Sequence, residues 1–133
     1  MIHLDTTFLV HLLREARRGP GPATAFLETV EDQELVISTH VLCELYAGAE
    51  LSNDFSREQQ AIQSVCSALN LRHSDERLAP VYGSILASLQ KSGRTIATMD
   101  LLIAAAALVD GAPLVTRNLR HFERVPGLRV LSY

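Results

Sequence analysis

The chain has 133 residues, and its sequence predicts an α/β protein: a three-layer α/β/α domain with a small, mostly parallel sheet. Two observations lead to this fold class. Short apolar runs of strand length alternate with longer segments that carry apolar residues at helical spacing, the pattern of parallel strands joined by helices. Hydrophobic residues make up 47% of the chain and charged residues 20%, the balance of a globular protein. We expect a single domain over residues 1–133.

Each element has a local reason in the sequence. The expected strands are short and largely apolar, and they comprise residues 2–4, 35–38, 71–73, 113–116 and 128–131. The expected helices have apolar residues at helical spacing, and they cover residues 6–16, 23–31, 39–51, 56–69, 78–92 and 99–109. The Gly-Pro-Gly-Pro run at 19–22 ends the first helix, and Ser38 or Thr39 caps the third. A capping-box pattern at Ser56 begins the fourth, and Gly93 ends the fifth. The sixth is apolar nearly all round, so we expect it to be buried.

The formal net charge of −3 is unevenly distributed. Residues 1–66 hold 4 basic and 10 acidic side chains, a net of −6, whereas residues 67–133 hold 8 basic and 5 acidic, a net of +3. The total excludes a strongly basic nucleic-acid coat protein but not an enzyme that acts on nucleic acid through a local site. Of the 12 basic residues 11 are arginines, whose planar groups pair with phosphate or carboxylate. An arginine-rich overall composition is the alternative explanation.

The two cysteines and the N-terminal residues indicate the cellular compartment of the protein. Cys43 and Cys66 have neither CxxC nor Cys/His spacing, so we expect two buried thiols in a reduced cytosol rather than a zinc site. The first residues lack the basic start and apolar stretch of a signal peptide. The longest apolar run, residues 101–109, is too short to span a bilayer. These features predict a cytoplasmic protein without a membrane partner.

Three carboxylates stand at the borders of apolar segments, where desolvation penalises them. Asp5 directly follows the first strand, Asp100 precedes the most apolar stretch, and Glu44 lies at the margin of the apolar face of the third helix. Ligands of parallel sheets collect outside the carboxyl ends of the strands. If the first strand is central, the three groups converge there and repel one another unless a divalent cation neutralises them. Oxygen-only ligands favour Mg²⁺ or Mn²⁺ over zinc.

Each carboxylate also has a purely structural interpretation. Asp5 and Asp100 both precede apolar helical residues and are suited to be N-caps. Glu44 has no helix terminus to cap, but it can lie at the rim of the apolar face with its carboxylate in solvent. The choice between the two interpretations depends on whether the fold brings the three groups together.

A carboxylate-held Mg²⁺ activates water and stabilises the oxygens of a phosphate ester, so the acidic groups predict phosphodiester hydrolysis. The chain contains neither a GxxxxGK[ST] loop nor GxGxxG, and it has no local signature of Cys/His or Ser/His/Asp catalysis. A receiver-type signalling domain shares the length, the sheet and an acidic Mg²⁺ pocket. Such a domain should show two adjacent acids after the first strand and a lysine after the last, whereas Asp5 precedes threonine and Lys91 is the only lysine.

An ordered set of motifs runs through nearly the whole chain. Its blocks are Ile2-His3-Leu4-Asp5-Thr6-Thr7, Ile37-Ser38 with Glu44-Leu45 and Gly48, Gly93-Arg94, Asp100 to Ala105, Leu114 to Asn118 with Phe122, and Val125 to Leu128. Any one block is weak, but the set resembles the PIN-domain ribonucleases, specifically the VapC type of toxin from bacterial toxin–antitoxin pairs. The resemblance implies a metal-dependent endoribonuclease with Asp5, Glu44 and Asp100 as metal ligands. It also implies a cognate antitoxin that blocks the site, and a homodimer.

The resemblance extends to residues around the acidic trio. Many PIN domains carry a fourth acid where this chain has Asn118, so an amide replaces the acid of a second metal site. Asn118 can still accept a water-mediated metal contact or hold a phosphate. We expect Thr6 and Thr7 to position Asp5 or a metal-bound water, and Thr116 to position the loop that holds Asn118. Ordinary cap and turn hydrogen bonds are the alternative.

Basic residues adjoin Asn118 in what we call the basic strip: Arg117, Arg120, His121 and Arg124, with Arg129. We expect this strip to guide the RNA backbone towards the metal. A solvated surface is one alternative, and contact with an acidic antitoxin segment is another. A PIN-like module that binds RNA or a partner without cutting remains the alternative to an enzyme, and the acidic trio argues against it.

Overall fold

The structure is a computed structural model that describes all residues from Met1 to Tyr133. Its strands are β1 (Ile2–Leu4), β2 (Leu35–Ser38), β3 (Asn70–Arg72), β4 (Leu114–Val115) and β5 (Val130–Leu131). Its helices are α1 (Thr6–Arg18), α2 (Pro22–Thr29), α3 (Thr39–Glu50), α4 (Phe55–Cys66), α5 (Leu78–Lys91), α6 (Thr98–Val109) and α7 (Leu119–Phe122). No helix is both long enough and apolar enough to cross a membrane.

The strands form one parallel sheet in the order β3-β2-β1-β4-β5, with β1 at its centre. The chain adds strands outward from β1 to β3 and then crosses back to add β4 and β5 on the other side. The direction of strand addition therefore switches between β1 and β4. The predicted three-layer α/β/α fold with a parallel sheet is confirmed. Ligands of parallel sheets bind in the crevice at such a switch point.

The core lies between the sheet and the helices that cover it. α6 contributes the most buried side chains of any helix, which agrees with its nearly uniform apolar sequence. Phe8 and Phe122 are the largest fully buried side chains, and they come from helices that directly follow β1 and β4. Burial of these residues fixes the first turns of α1 and α7 against the carboxyl ends of the two central strands.

Several local predictions differ from the structure. The cap of α4 is Asp54, whose carboxylate accepts a hydrogen bond from the Arg57 amide at 3.1 Å, rather than Ser56. Asp caps a helix as well as Ser does, and the earlier start packs Phe55 against the core. α7 was not predicted. Asp100 lies inside the first turn of α6 rather than at its cap, so the N-cap interpretation of this residue is wrong.

The prediction of two buried thiols is also wrong, because Cys43 is exposed and Cys66 is only partly buried. Cys43 lies two residues from both Val41 and Leu45, the buried residues of α3. A helix turns about 100° per residue, so a residue two positions away lies on the opposite side. The apolar character of Cys43 therefore does not place it in the core.

Gly48 lies within α3, where no atom approaches within 4 Å of the place that a Cβ would occupy. Glycine inside a helix costs about 0.5–1 kcal/mol relative to alanine. We expect Gly48→Ala to raise the free energy of unfolding by that amount in urea denaturation. Gly83→Ala, at an equally open position in α5, is the matched variant and should give a similar gain. A destabilised Gly48→Ala protein would show that the space above the glycine is needed by the folded chain.

Candidate metal site

Asp5 lies at the point where the central strand ends and α1 begins. Its side chain is almost completely buried, with 2% of the residue exposed. The carboxylate accepts hydrogen bonds from the Phe8 amide at 2.8 Å, from the Thr7 hydroxyl at 2.9 Å and from the Thr116 hydroxyl. The bond to Phe8 makes Asp5 the N-cap of α1, and the bond to Thr116 joins it to the end of β4. Asp5 is therefore both a helix cap and a group at the switch point of the sheet.

The electrostatic environment of Asp5 disfavours its negative charge. Burial raises the pKa of the Asp5 carboxyl, and hydrogen bonds from Thr116, Phe8 and Thr7 only partly oppose this rise. The negative charge of Asp100 raises the same pKa further. No arginine or lysine side chain pairs with either carboxylate. A bound cation would relieve both the desolvation and the repulsion.

Asp100 is connected to Asp5 through a series of polar contacts. The Nδ1 atom of His121 lies 3.5 Å from Oδ2 of Asp100 and accepts a hydrogen bond from the Asn118 side-chain amide at 2.9 Å. The backbone amide of Asn118 donates to the Thr116 hydroxyl at 2.9 Å, and Thr116 donates to Asp5. Sequence reasoning assigned His121 only to the basic strip. Its spacing of three residues from Asn118 across the first turn of α7 is the signal that could have paired them.

Glu44 is held differently from the other two carboxylates. The Thr6 hydroxyl donates to its Oε1 atom at 2.5 Å, so Thr6 contacts Glu44 whereas Thr7 contacts Asp5. Glu44 also lines a groove between α1, α3 and α4. No three Asp, Glu, His or Cys side chains lie close enough together to hold a metal ion between them. The structure thus brings Asp5 and Asp100 within electrostatic reach, and Glu44 is linked to them only through Thr6, the residue after Asp5, without a closed cage.

These groups fit a hard divalent cation. Mg²⁺ prefers oxygen ligands, keeps several waters, and is usually held by one or two carboxylates together with substrate phosphates rather than by an all-protein cage. Asp5 and Asp100 supply such a pair of carboxylates. Glu44, which Thr6 contacts, and Asn118, whose backbone amide contacts Thr116, carry further oxygen donors. The absence of a closed cage is therefore compatible with Mg²⁺ and argues against a structural zinc site.

The basic strip does not form one continuous free surface. The guanidinium of Arg117 lies 4.7 Å from the centre of the Tyr133 ring, a cation–π contact. Arg124 donates to the carbonyl of Thr95 at 3.4 Å and so contacts the loop that precedes α6. Arg120 is exposed and makes no ion pair. Tyr133 was not singled out by sequence reasoning, and burial, aided by the negative charge of Asp5, raises its pKa to about 12.

A second ionisable cluster was also missed. His3 is 1% exposed in the centre of the sheet, and its Nε2 atom lies 2.6 Å from Oδ2 of Asp110. Arg72 donates to both oxygens of the same carboxylate, at 2.6 and 3.2 Å. Asp110 follows the last residue of α6, at the end opposite to Asp100. The cluster is therefore separate from the candidate metal site.

The fold and the acidic groups define a class: small parallel α/β proteins with paired carboxylates at the switch point of the sheet. The chain belongs to the PIN domain family, whose model matches residues 2–128. It is 34% identical over 130 residues to ribonuclease VapC2 of Haemophilus influenzae, covering 98% of this chain and 96% of that protein. It is 36% identical over 96 residues to the tRNA(fMet)-specific endonuclease VapC of Salmonella typhimurium, covering 72% and 73% of the two chains.

Solved structures of toxin–antitoxin complexes have the same fold. VapBC2 from Rickettsia felis, bound to a DNA fragment from its promoter, matches with a TM-score of 0.92 and 29% identity over 100% of this chain and 99% of that chain. DNA-bound VapBC from Salmonella typhimurium matches with a TM-score of 0.89 and 30% identity over 98% and 96%. The resemblance drawn from the sequence motifs is confirmed at the level of the family.

Proposed function

We propose that this chain is a metal-dependent endoribonuclease toxin of the VapC type, formed by a single nuclease domain over residues 1–133. The observation that carries the proposal is the buried Asp5 carboxylate at the switch point, close to Asp100 and without a cationic side-chain partner. Relatives that match nearly the whole chain are named ribonucleases, which supports RNA as the substrate. A non-cutting PIN-like module is the alternative.

Each side chain of the site has a defined task in this proposal. Asp5 and Asp100 hold Mg²⁺ or Mn²⁺, and Glu44 is the third acidic ligand. A cation held by these residues would supply an activated water and positive charge for the oxygens of the scissile phosphate. Hydrogen bonds from threonine hydroxyls would fix Asp5 and Glu44 before RNA arrives. Thr7 and Thr116 donate to Asp5, and Thr6 donates to Glu44. His121, which accepts a hydrogen bond from Asn118, lies 3.5 Å from Asp100 without donating to it.

The partner proteins belong to the same proposal. The solved complexes pair a toxin with its antitoxin, which supports a cognate antitoxin that blocks the acidic site of this chain. We propose a homodimer in the cytoplasm as the functional form. Within the basic strip, Arg117 and Arg120 are the residues proposed to contact RNA or the antitoxin, and Arg124, which bonds Thr95, joins them at the edge of the strip.

The metal dependence can be tested with purified protein and a mixed-sequence RNA. We expect cleavage in Mg²⁺ or Mn²⁺, no cleavage in EDTA, and recovery when excess Mg²⁺ is restored. Asp100→Asn should lower the cleavage rate by at least about a hundredfold, since it removes one of the three carboxylates proposed to hold the ion. Asp32→Asn, an exposed carboxylate without an ion pair, is the matched control and should cut normally.

Two outcomes would contradict the proposal. Undiminished cleavage in EDTA, or full activity of Asp100→Asn, would refute the metal site. RNA binding by the unmodified protein without cleavage in any divalent metal would favour the non-cutting module. Circular dichroism of each variant separates a loss of chemistry from a loss of fold.

A further inference from the structure

An arginine-lined groove adjoins the candidate metal site. It lies between α1, α3 and α4, has a volume of about 510 Å³, and is referred to below as the arginine groove. Residues 1–66 carry a net charge of −6 and contain four basic side chains, and all four line this groove. They are Arg14, Arg17, Arg18 and Arg57. All the arginine side chains of residues 1–66, which contain no lysine, therefore lie on one surface.

Most of this charge is not neutralised within the chain. Arg17 pairs with Glu58 at 2.5 Å, whereas the guanidinium groups of Arg14, Arg18 and Arg57 form no ion pair. All four arginines are exposed. Three of them are spaced by three and four residues along α1, so they share one face, with Cβ atoms about 5–6 Å apart. Like charges at this spacing destabilise a helix, and bound anions would remove that repulsion.

The arginine groove shares Glu44 with the candidate metal site. Glu44 lines one part of it and accepts a hydrogen bond from Thr6, the residue after Asp5. Gly48 forms part of its wall and has open space above its Cα, so the path beside Glu44 is not closed by a side chain. An extended chain that lies along α1 in this groove would therefore pass beside Glu44.

We propose that the arginine groove binds the phosphates of single-stranded RNA next to the phosphate that is cut. The proposal rests on the ribonuclease function proposed above. A guanidinium group can donate two hydrogen bonds to one phosphate group. A row of arginines along one helix therefore suits a nucleic-acid strand, which carries one negative charge per nucleotide. An anionic strand must be brought past three carboxylates that repel it, and adjacent arginines offset that repulsion. The basic strip would then hold a different part of the strand.

The test compares two charge-matched variants of the full chain. Arg14→Gln with Arg18→Gln removes two unpaired groups of the groove, and Arg77→Gln with Lys91→Gln removes two cations outside it. Binding of a labelled, mixed-sequence single-stranded RNA is measured in EDTA, so that no cleavage occurs, at several salt concentrations. We expect the groove variant to lose about tenfold in affinity and its salt slope to become shallower by about 1.4, and the control variant to bind like the unmodified protein.

A variant without a change in charge distinguishes RNA that lies in the groove from RNA that is only attracted to its positive charge. Gly48→Gln places a side chain in the groove without changing the charge, and it should also weaken RNA binding while the thermal midpoint stays within a few degrees of the original. Equal affinities of the groove and control variants, in a protein that does cleave RNA, would overturn the groove assignment alone. Absence of cleavage by the unmodified protein would instead refute the proposed function. If the groove variant kept its RNA affinity but lost binding of a polyglutamate peptide, the groove would be a site for an acidic protein segment, and the proposal would be wrong.

Discussion

Replacement of Asp5 by asparagine is expected to abolish metal-dependent RNA cleavage, with a loss of at least about a thousandfold. The substitution removes the charge of the most buried carboxylate in the site while keeping its shape. Asparagine is as good an N-cap as aspartate, so the bond from the Phe8 amide can persist and α1 should remain folded. The rate is measured at saturating Mg²⁺, and circular dichroism is recorded on the same samples.

The stability of the same variants distinguishes a metal ligand from a helix cap. Burial raises the pKa of Asp5, which means that its ionised form is disfavoured in the folded chain without metal. Asp5→Asn should therefore be at least as stable as the unmodified protein in EDTA, and it should lack the stabilisation that Mg²⁺ gives by binding only the folded state. Asp5→Ala also removes the cap and should be less stable by about 1–2 kcal/mol. Full cleavage by Asp5→Asn, or an equal response of both proteins to Mg²⁺ in thermal melts, would exclude Asp5 as a ligand.

The order of elements was predictable because most of them have local signals. β1 and β2 are short, mostly apolar runs, and residues 101–109 of α6 are apolar without interruption. The glycine and proline residues between α1 and α2 end one helix and begin the next. The central position of β1 was stated only as a condition, since a single strand does not reveal its neighbours. Pairing with both β2 and β4 is a property of the whole sheet. It brings Thr116 to Asp5 across 111 positions of sequence.

The details of the site were less predictable because its polar contacts are long-range. Two interpretations of Asp5 were left open: the structure confirms the helix cap, and the role of Asp5 as a metal ligand stays a prediction. The outcome for Asp100 is different, since α6 begins at Thr98, one residue earlier than predicted, and the Asp100 carboxylate makes no hydrogen bond to the backbone. Thr6 and Thr7 are adjacent in sequence yet hold different carboxylates, because successive residues of a helix point about 100° apart.

The His3–Asp110–Arg72 cluster had no local signal at all. His3 lies in an apolar strand and Asp110 follows an apolar helix, and each alone looks like an ordinary boundary residue. A negative charge at the C-terminus of a helix interacts unfavourably with the helix dipole. The charge of Asp110 is therefore stabilised by its two partners, His3 and Arg72. Burial pushes the pKa of Asp110 up, but the hydrogen bonds from Arg72 and His3 outweigh it, and the net pKa is below its usual value. Burial lowers the pKa of His3, against the opposing effect of Asp110, so the ring is neutral in the folded chain.

Both shifts make the folded chain sensitive to acid. A His pKa that is lowered by folding contributes stability above the unfolded value of 6.5, and this contribution declines as the pH falls below it. The lowered pKa of Asp110 contributes stability above its unfolded value of 3.8, which is lost as the pH falls through the lower folded value. We therefore expect the unfolding free energy of the unmodified protein to decrease in two steps on acidification.

Asp110→Ala is expected to lower the free energy of unfolding by about 2–4 kcal/mol at pH 7, because it leaves a buried imidazole without its acceptor and Arg72 without its pair. Urea denaturation measures the loss. Asp75→Ala breaks the exposed contact with Arg77 and serves as the control, with little expected change. The decrease in unfolding free energy at the lower of the two pH ranges should be absent in Asp110→Ala and present in the control. If Asp110→Ala unfolded at the same urea concentration as the unmodified protein, with both acid steps intact, the cluster would contribute nothing to stability.

Cleavage activity of the folded variant should be retained, since Asp110 and Asp100 lie at opposite ends of α6.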